Sequence, residues 1–291
     1  MIKTIRKQFG MRKTSASYLK SKYGEGCEYI NVDGVEVRLK ISGEGEPVLL
    51  LHGFCSMLET WNGWQRELSA HYKVISFDMP PFGITGPLNT DKYTRFDDYF
   101  LFFEKLVDAI QLTAFHIAGN SIGGFTAWNY ALKYPTRIKK MILIDSVGYK
   151  FIPPVSFLSM LYPIGNITKH ITPKPILSAI YAQVYGNKNS ISETTKHMYY
   201  DFLRRKGTRD ALSKMINDID ISGKRIPYIS TPTLILWGKK DTWVDPKNAH
   251  KFHRDISNSQ LIMYPSLGHV PQEEDAATTV KDALRFLQTQ H

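Results

Sequence analysis

Cysteine is nearly missing from this 291-residue chain. Cys27 and Cys55 are the only two, too few for a disulfide framework and without the spacing of a metal site. The nine histidines are scattered, and no His-x-x-x-His pair falls on a helical stretch. Glycine-rich phosphate loops and dinucleotide fingerprints are also missing, so the sequence implies neither a metal nor a cofactor. There is no internal repeat and no low-complexity tract. No apolar run is long enough to cross a bilayer or to serve as a signal h-region, which makes a reducing, cytoplasmic setting the expectation. Acidic residues are in deficit, with 27 Asp and Glu against 37 Lys and Arg and a formal net charge of +10. That balance raises nucleic-acid binding as a reading, but no recognition motif or aromatic–basic alternation supports it. With 43% apolar residues the chain has the composition of a globular protein, long enough for one large core plus an inserted subdomain.

What the chain does have is Gly119-Asn120-Ser121-Ile122-Gly123, set between an apolar run at 114–118 and a helical stretch at 124–134. A G-x-S-x-G sequence on a strand-to-helix turn is a nucleophile elbow. So tight a turn forces the serine into an unfavourable backbone conformation, and the residues two before and two after it must be small. The hydroxyl of Ser121 is thereby pushed out of the fold, and the first amides of the next helix face whatever it attacks. Two further groups follow in order: Asp241 after the apolar run at 233–238, and His269 after the strand-like stretch 260–264. A serine hydroxyl needs a base, and His269 is the candidate to take its proton and return it to the leaving group. Asp241 would hold the imidazole in the right tautomer. Asp245 and Asp145 remain alternatives for the acid. Asp78 is expected to hydrogen-bond its own loop.

Alternating apolar runs and helical stretches predict a mostly parallel sheet covered on both faces. A hairpin is expected across 29–41, strands at 47–51, 73–77, 114–118 and 140–144, and helices near 60–71 and 96–110. The alternation stops between Gly148 and about Arg225, where residues with helical spacing are broken by five prolines.

On the elbow and the order nucleophile, acid, histidine, the chain resembles the α/β-hydrolases from about residue 28 onward. The resemblance implies an α/β-hydrolase core at 27–149 and 226–291, a helical cap inserted at 150–225, and a basic leader at 1–26 expected to be solvated. It assigns the oxyanion hole to the backbone amides of Phe54 and Ile122. It also places a substrate pocket among His52, Val270 and the cap residues Phe151, Phe157, Met160, Leu161, Ile180, Tyr181 and Val184. His52 is expected to shape the oxyanion turn. Cys55, beside that turn, reads as a small apolar filler.

Residues 1–26 carry a net charge of +6 and residues 150–225 a net +7, while 27–149 carry −3 and 226–291 are neutral. The excess therefore lies in the leader and the lid. Arg204, Arg205 and Arg209 form the densest cap cluster and would suit an acidic partner. The family contains esterases that act on acyl chains tethered to acyl carrier protein in biotin precursor synthesis, so docking of such a carrier is one expectation. The main expectation is a serine carboxylesterase for small to medium acyl esters. A carbon–carbon bond hydrolase resembling the meta-cleavage product enzymes, which often share Gly-Asn-Ser, is the alternative. Against it, Val270 follows His269 where those enzymes often carry tryptophan. A third reading is a ligand sensor on the same fold. Relatives with an aspartate nucleophile are excluded by Ser121.

Overall fold

The computed structural model describes residues 13–88, 93, 96–150, 173–215 and 221–289. Its strands are β1 (Glu28–Val32), β2 (Val35–Ser42), β3 (Pro47–Leu51), β4 (Lys73–Phe77), β5 (Phe115–Asn120), β6 (Ile138–Ile144), β7 (Thr233–Gly238) and β8 (Ser259–Tyr264). They form one sheet in the order β1-β2-β4-β3-β5-β6-β7-β8. The pairs β1–β2 and β2–β4 are antiparallel and the others parallel. Asp33 and Gly34 turn the first hairpin at φ 53° and 83°, the positive values that match the twist of the flanking strands.

The described helices are α1 (Ala16–Tyr23), α2 (Asn62–Leu68), α3 (Phe96–Ala109), α4 (Ile122–Lys133), α5 (Lys174–Ala182), α6 (Glu193–Leu203), α7 (Thr208–Met215), α8 (Lys247–Asp255), α9 (Pro271–Glu274) and α10 (Ala276–Gln288). Strand periodicity sorts the apolar side chains onto two faces. Val48 and Leu50 of β3 join Trp64 and Leu68 of α2 and Phe286 of α10 in one cluster. Leu49 and Leu51 join Phe103 of α3, Tyr130 of α4 and Phe252 of α8 in the other. Strands β5 and β7 are buried along their whole length, as parallel strands covered on both faces must be.

The strand order fixes where a site can form. From β3 the chain crosses to β4 on one side, then returns to place β5 on the other. Ligands of open sheets bind outside the carboxyl ends of strands at such a switch point. Here those ends are Leu51 and Asn120, with Leu51 paired to Gly119. The segments His52-Gly53-Phe54 and Ser121-Ile122 therefore leave the sheet side by side.

The expectation of a solvated leader fails for residues 13–26. Leu19 of α1 is fully buried, and Ser15 caps the helix by accepting from the Tyr18 amide. Thr14 exchanges backbone bonds with Arg204 and Lys206 (2.8 and 3.1 Å), and Lys22 and Tyr23 both hold Asp201 of α6 (2.8 and 2.9 Å). One apolar anchor and a charge pair dock the segment. Residues 1–12 lie outside the described residues.

Candidate active site

Ser121 sits between β5 and α4 at φ 56°, ψ −116°, a conformation that a residue with a Cβ adopts only when its surroundings impose it. The backbone shows what imposes it. The Ser121 amide donates to Ile144 O (2.9 Å), while its carbonyl accepts from Phe125 and Val147 (both 3.1 Å). A Cβ on Gly119 would meet Gly123 O at 2.3 Å, and one on Gly123 would meet Leu51 O at 2.3 Å. Both glycines thus let α4 start against the sheet. Gly119→Ala is expected to lower stability by about 1–3 kcal/mol through overpacking, read as a fall in melting temperature by calorimetry.

His269 Nδ1 lies 2.7 Å from Asp241 Oδ2, and both side chains are buried. The other Asp241 oxygen accepts from the amides of Trp243 (2.7 Å) and Val244 (3.0 Å). The two amides fix the carboxylate so that Oδ2, an acceptor, faces Nδ1; Nδ1 therefore carries the proton and Nε2 is left as the basic nitrogen. The indole of Trp243 lies parallel to the imidazole at 6.1 Å between centroids. The histidine loop is tied from three sides. Its main chain accepts from Asn120 Nδ2 at His269 O (2.9 Å), donates from His269 N to Val184 O (2.6 Å), and donates from Gly268 N to Glu274 (2.8 Å).

Ser121 and His269 line one cavity with Gly53, Phe54, Cys55, Ser56, Leu177, Ile180, Tyr181, Val184, Tyr199, Trp243 and Val270. Its free space is about 50 Å³. A Cβ on Gly53 would stand 3.1 Å from Ser121 Cβ, so the turn carrying Phe54 runs directly beside the elbow. Ile122 opens α4, where the first amides have no intrahelical acceptor.

Of the expected pocket residues, Tyr181, Ile180, Val184 and Val270 are in this cavity. Phe151, Phe157, Met160 and Leu161 lie outside the described residues. His52 does not line it. Its Nδ1 donates to Gly53 O (2.8 Å) and its Nε2 accepts from the Met79 amide (2.9 Å), and it faces a neighbouring small cavity with Met79, Phe82 and Tyr99. Burial keeps it neutral by pushing its pKa down. Cys55 does line the cavity, at φ 55°, and burial pushes its thiol far above the ordinary range, so it is no thiolate at neutral pH. Asp78 hydrogen-bonds its own loop at the Ile84 amide (2.7 Å), and also holds the Leu58 amide and buried Arg38.

The arginine cluster does not form a docking face. Arg209 is only 9% exposed. Arg205 Nη2 donates to Thr85 O (3.2 Å), and Arg204 lies over the Tyr200 ring at 4.8 Å. Carrier docking through these three residues is therefore not supported. A run of basic residues shows charge, but not whether the guanidinium groups turn inward.

Sequence reasoning missed the polar strap beside the histidine. Glu273 accepts from Thr60 (2.6 Å), Tyr185 (2.6 Å) and Tyr199 (2.8 Å), and Glu274 accepts from the amides of Gly186, Asn187 and Gly268. These bonds fasten the segment between α5 and α6 to the histidine loop. The only hint in the sequence is a pair of acids just past His269. Asp145, Asp241 and His269 each offer an atom within 4.8 Å of the others, the composition of a metal set. The direct 2.7 Å bond between His269 and Asp241 leaves no space for an ion between them.

Residues 46–168 match the family model of the alpha/beta hydrolase fold. The 2-hydroxy-6-oxo-6-phenylhexa-2,4-dienoate hydrolase of Comamonas testosteroni is 28% identical over 262 residues, 84% of this chain and 89% of that one. Lipase 3 of Moraxella sp. (strain TA144) is 28% identical over 246 residues, 83% and 77% of the two chains. Among solved structures, the meta-cleavage product hydrolase CumD of Pseudomonas fluorescens superposes with a TM-score of 0.78 at 25% identity, covering 89% of this chain and 97% of that one. No described helix is long and apolar enough to cross a membrane. Eight strands in this order, an elbow at the switch point and these similarities give the chain the α/β-hydrolase fold.

Proposed function

We propose that the protein is a serine hydrolase that cleaves small, uncharged carboxylic esters through an acyl-enzyme. The observation that carries this reading is the shared cavity. Ser121, at a strained tip, faces the same space as a histidine already oriented by an acid, and no described lining residue is an Asp, Glu, Lys or Arg. In the proposed reaction Ser121 Oγ attacks the ester carbonyl while His269 Nε2 takes its proton. The amides of Phe54 and Ile122 receive the oxyanion, an interaction stronger in the transition state than in the ground state. Protonated His269 then passes its proton to the departing alcohol, and water releases the acid by the same steps in reverse order. The helices at 174–215 act as a cap, with Leu177, Ile180 and Tyr181 walling the acyl group from solvent.

Carbon–carbon cleavage is favoured by a different observation, the similarity to the dienoate hydrolase and CumD. A dienoate brings a carboxylate, and burying one without a cation is costly. None of the described lining residues supplies a lysine or arginine.

The test is a substrate panel. Acetyl and butyryl p-nitrophenyl esters are expected to turn over at least about tenfold faster than the octanoyl ester, because the cavity must be forced open for a long chain. A 2-hydroxy-6-oxo-dienoate is expected to be a poorer substrate than either. Faster turnover of the dienoate would reverse the order of the two readings.

A further inference from the structure

Behind the acid–histidine pair lies a second carboxyl group that the proposed reaction does not use. Asp145 follows β6 at φ 45°, another strained position, and its side chain is completely buried. The backbone holds it there through its amide, which donates to Leu236 O (3.1 Å). Its Oδ1 accepts from the Gly238 amide (3.1 Å), whereas Oδ2 meets no N–H or O–H donor among the described residues, apart from whatever proton the two acids share. Asp145, Asp241 and His269 bring one polar atom each within 4.8 Å of one another.

Two carboxylates this close in a buried site cannot both ionise. The donors decide which one keeps its charge. Asp241 receives two backbone N–H groups and the His269 N–H, while Asp145 receives one N–H. The ionised form belongs to the group with more donors, so the proton remains on Asp145, on the oxygen that no other donor reaches. We propose that Asp145 is a neutral acid that donates a hydrogen bond from Oδ2 to the Asp241 carboxylate, making it the positioning residue behind the acid–histidine pair.

Burial raises the Asp145 carboxyl well above the usual carboxylate range, and the Asp241 charge and the hydrogen bond to it raise it further; the Gly238 amide opposes this and Glu274 adds a small like-charge push. The groups acting on Asp145 are thus Asp241 from the loop after β7, His269 from the loop after β8 and Glu274 from α9. The result is a chain from Asp145 through Asp241 to His269, in which the outer acid restrains the acid that restrains the imidazole. Such a shared proton distinguishes this pair from a simple acid–histidine dyad, because part of Asp241's charge is spent on Asp145.

This inference rests on the reading of Ser121, His269 and Asp241 as the reacting set, so its test includes a measurement that needs no turnover. Infrared difference spectra of the full chain at pH 8, native minus Asp145→Asn, are expected to show the carbonyl stretch of a protonated carboxylic acid. Its absence from the native protein, or its persistence in Asp145→Asn, overturns the proposal even if the esterase activity stands. Lack of esterase activity in the native protein, with the band present, sinks the functional reading and leaves the buried acid in place.

Kinetics supply the second arm. Asparagine reproduces a protonated aspartic acid, accepting from Gly238 and donating to Asp241. Asp145→Asn is therefore expected to keep kcat within about threefold, with an unchanged acid limb in the pH profile of kcat/KM. Asp145→Ala removes the donor and is expected to lower kcat about tenfold at constant KM. Its acid limb should move upward, because an Asp241 charge relieved of that bond holds the imidazolium more firmly. A downward move of the acid limb in Asp145→Asn would show that a negative charge had been lost, and so that Asp145 is ionised in the native protein.

Discussion

Ser121→Ala is expected to lower kcat for p-nitrophenyl acetate by at least about 10⁴-fold while leaving the melting temperature within a few degrees of the native value. The size follows from what would remain. Without the hydroxyl there is no acyl-enzyme, and the oxyanion amides of Phe54 and Ile122 could assist only direct attack by water. Stability should change little, because among the described residues the Ser121 side chain makes no capping hydrogen bond that holds the elbow. Its strained backbone is imposed by the main-chain bonds to Ile144, Phe125 and Val147. Alanine at φ 56° is no more strained than serine. Retained turnover in a folded Ser121→Ala protein would remove the nucleophile from the proposed mechanism.

Asp241→Asn should have an effect of similar size for a different reason. Asparagine Oδ1 can still accept from Trp243 and Val244, so the loop after β7 keeps its shape. Its Nδ2, however, faces His269 Nδ1 where an acceptor stood at 2.7 Å. Two donors cannot face each other, so the imidazole moves its proton to Nε2, the nitrogen that must accept from Ser121. The wrong tautomer is expected to lower kcat by about 10⁴-fold at neutral pH, measured in steady state with the acetyl ester. If Asp241→Asn retains turnover and Asp145→Asn abolishes it, the acid has been misassigned.

The parts of the fold that depend on local pattern were legible in the sequence. Pro47–Leu51 and Lys73–Phe77 have the bounds expected of them, and the hairpin turns at Asp33-Gly34, because apolar runs and positive-φ turn residues leave few alternatives. The expected helix at 60–71 is shorter, a 3₁₀ turn at Leu58–Trp61 followed by α2. The elbow, with Asp241 and His269, was legible because the chemistry of a strained turn demands particular residue types at fixed spacing.

What was hidden depends on contacts between distant residues. In sequence Asp145 reads only as an alternative acid; that it stands beside Asp241 follows from the pairing of β6 with β7, the strands that precede the two residues. Glu273 looks like any surface acid until Thr60, Tyr185 and Tyr199 converge on it. The sequence predicts a solvated leader and, at Arg204 and Arg205, a patch for an acidic partner, yet residues 14 and 204–206 pair through their backbones. Charge count cannot distinguish a docking patch from a seam.

Mass spectrometry of the full chain after reaction with a fluorophosphonate tests the central claim most directly. The account predicts a single phosphonyl adduct on the peptide containing Ser121, lost when His269 is replaced by alanine. An adduct on another residue, or no adduct on a folded protein that still hydrolyses esters, would contradict it.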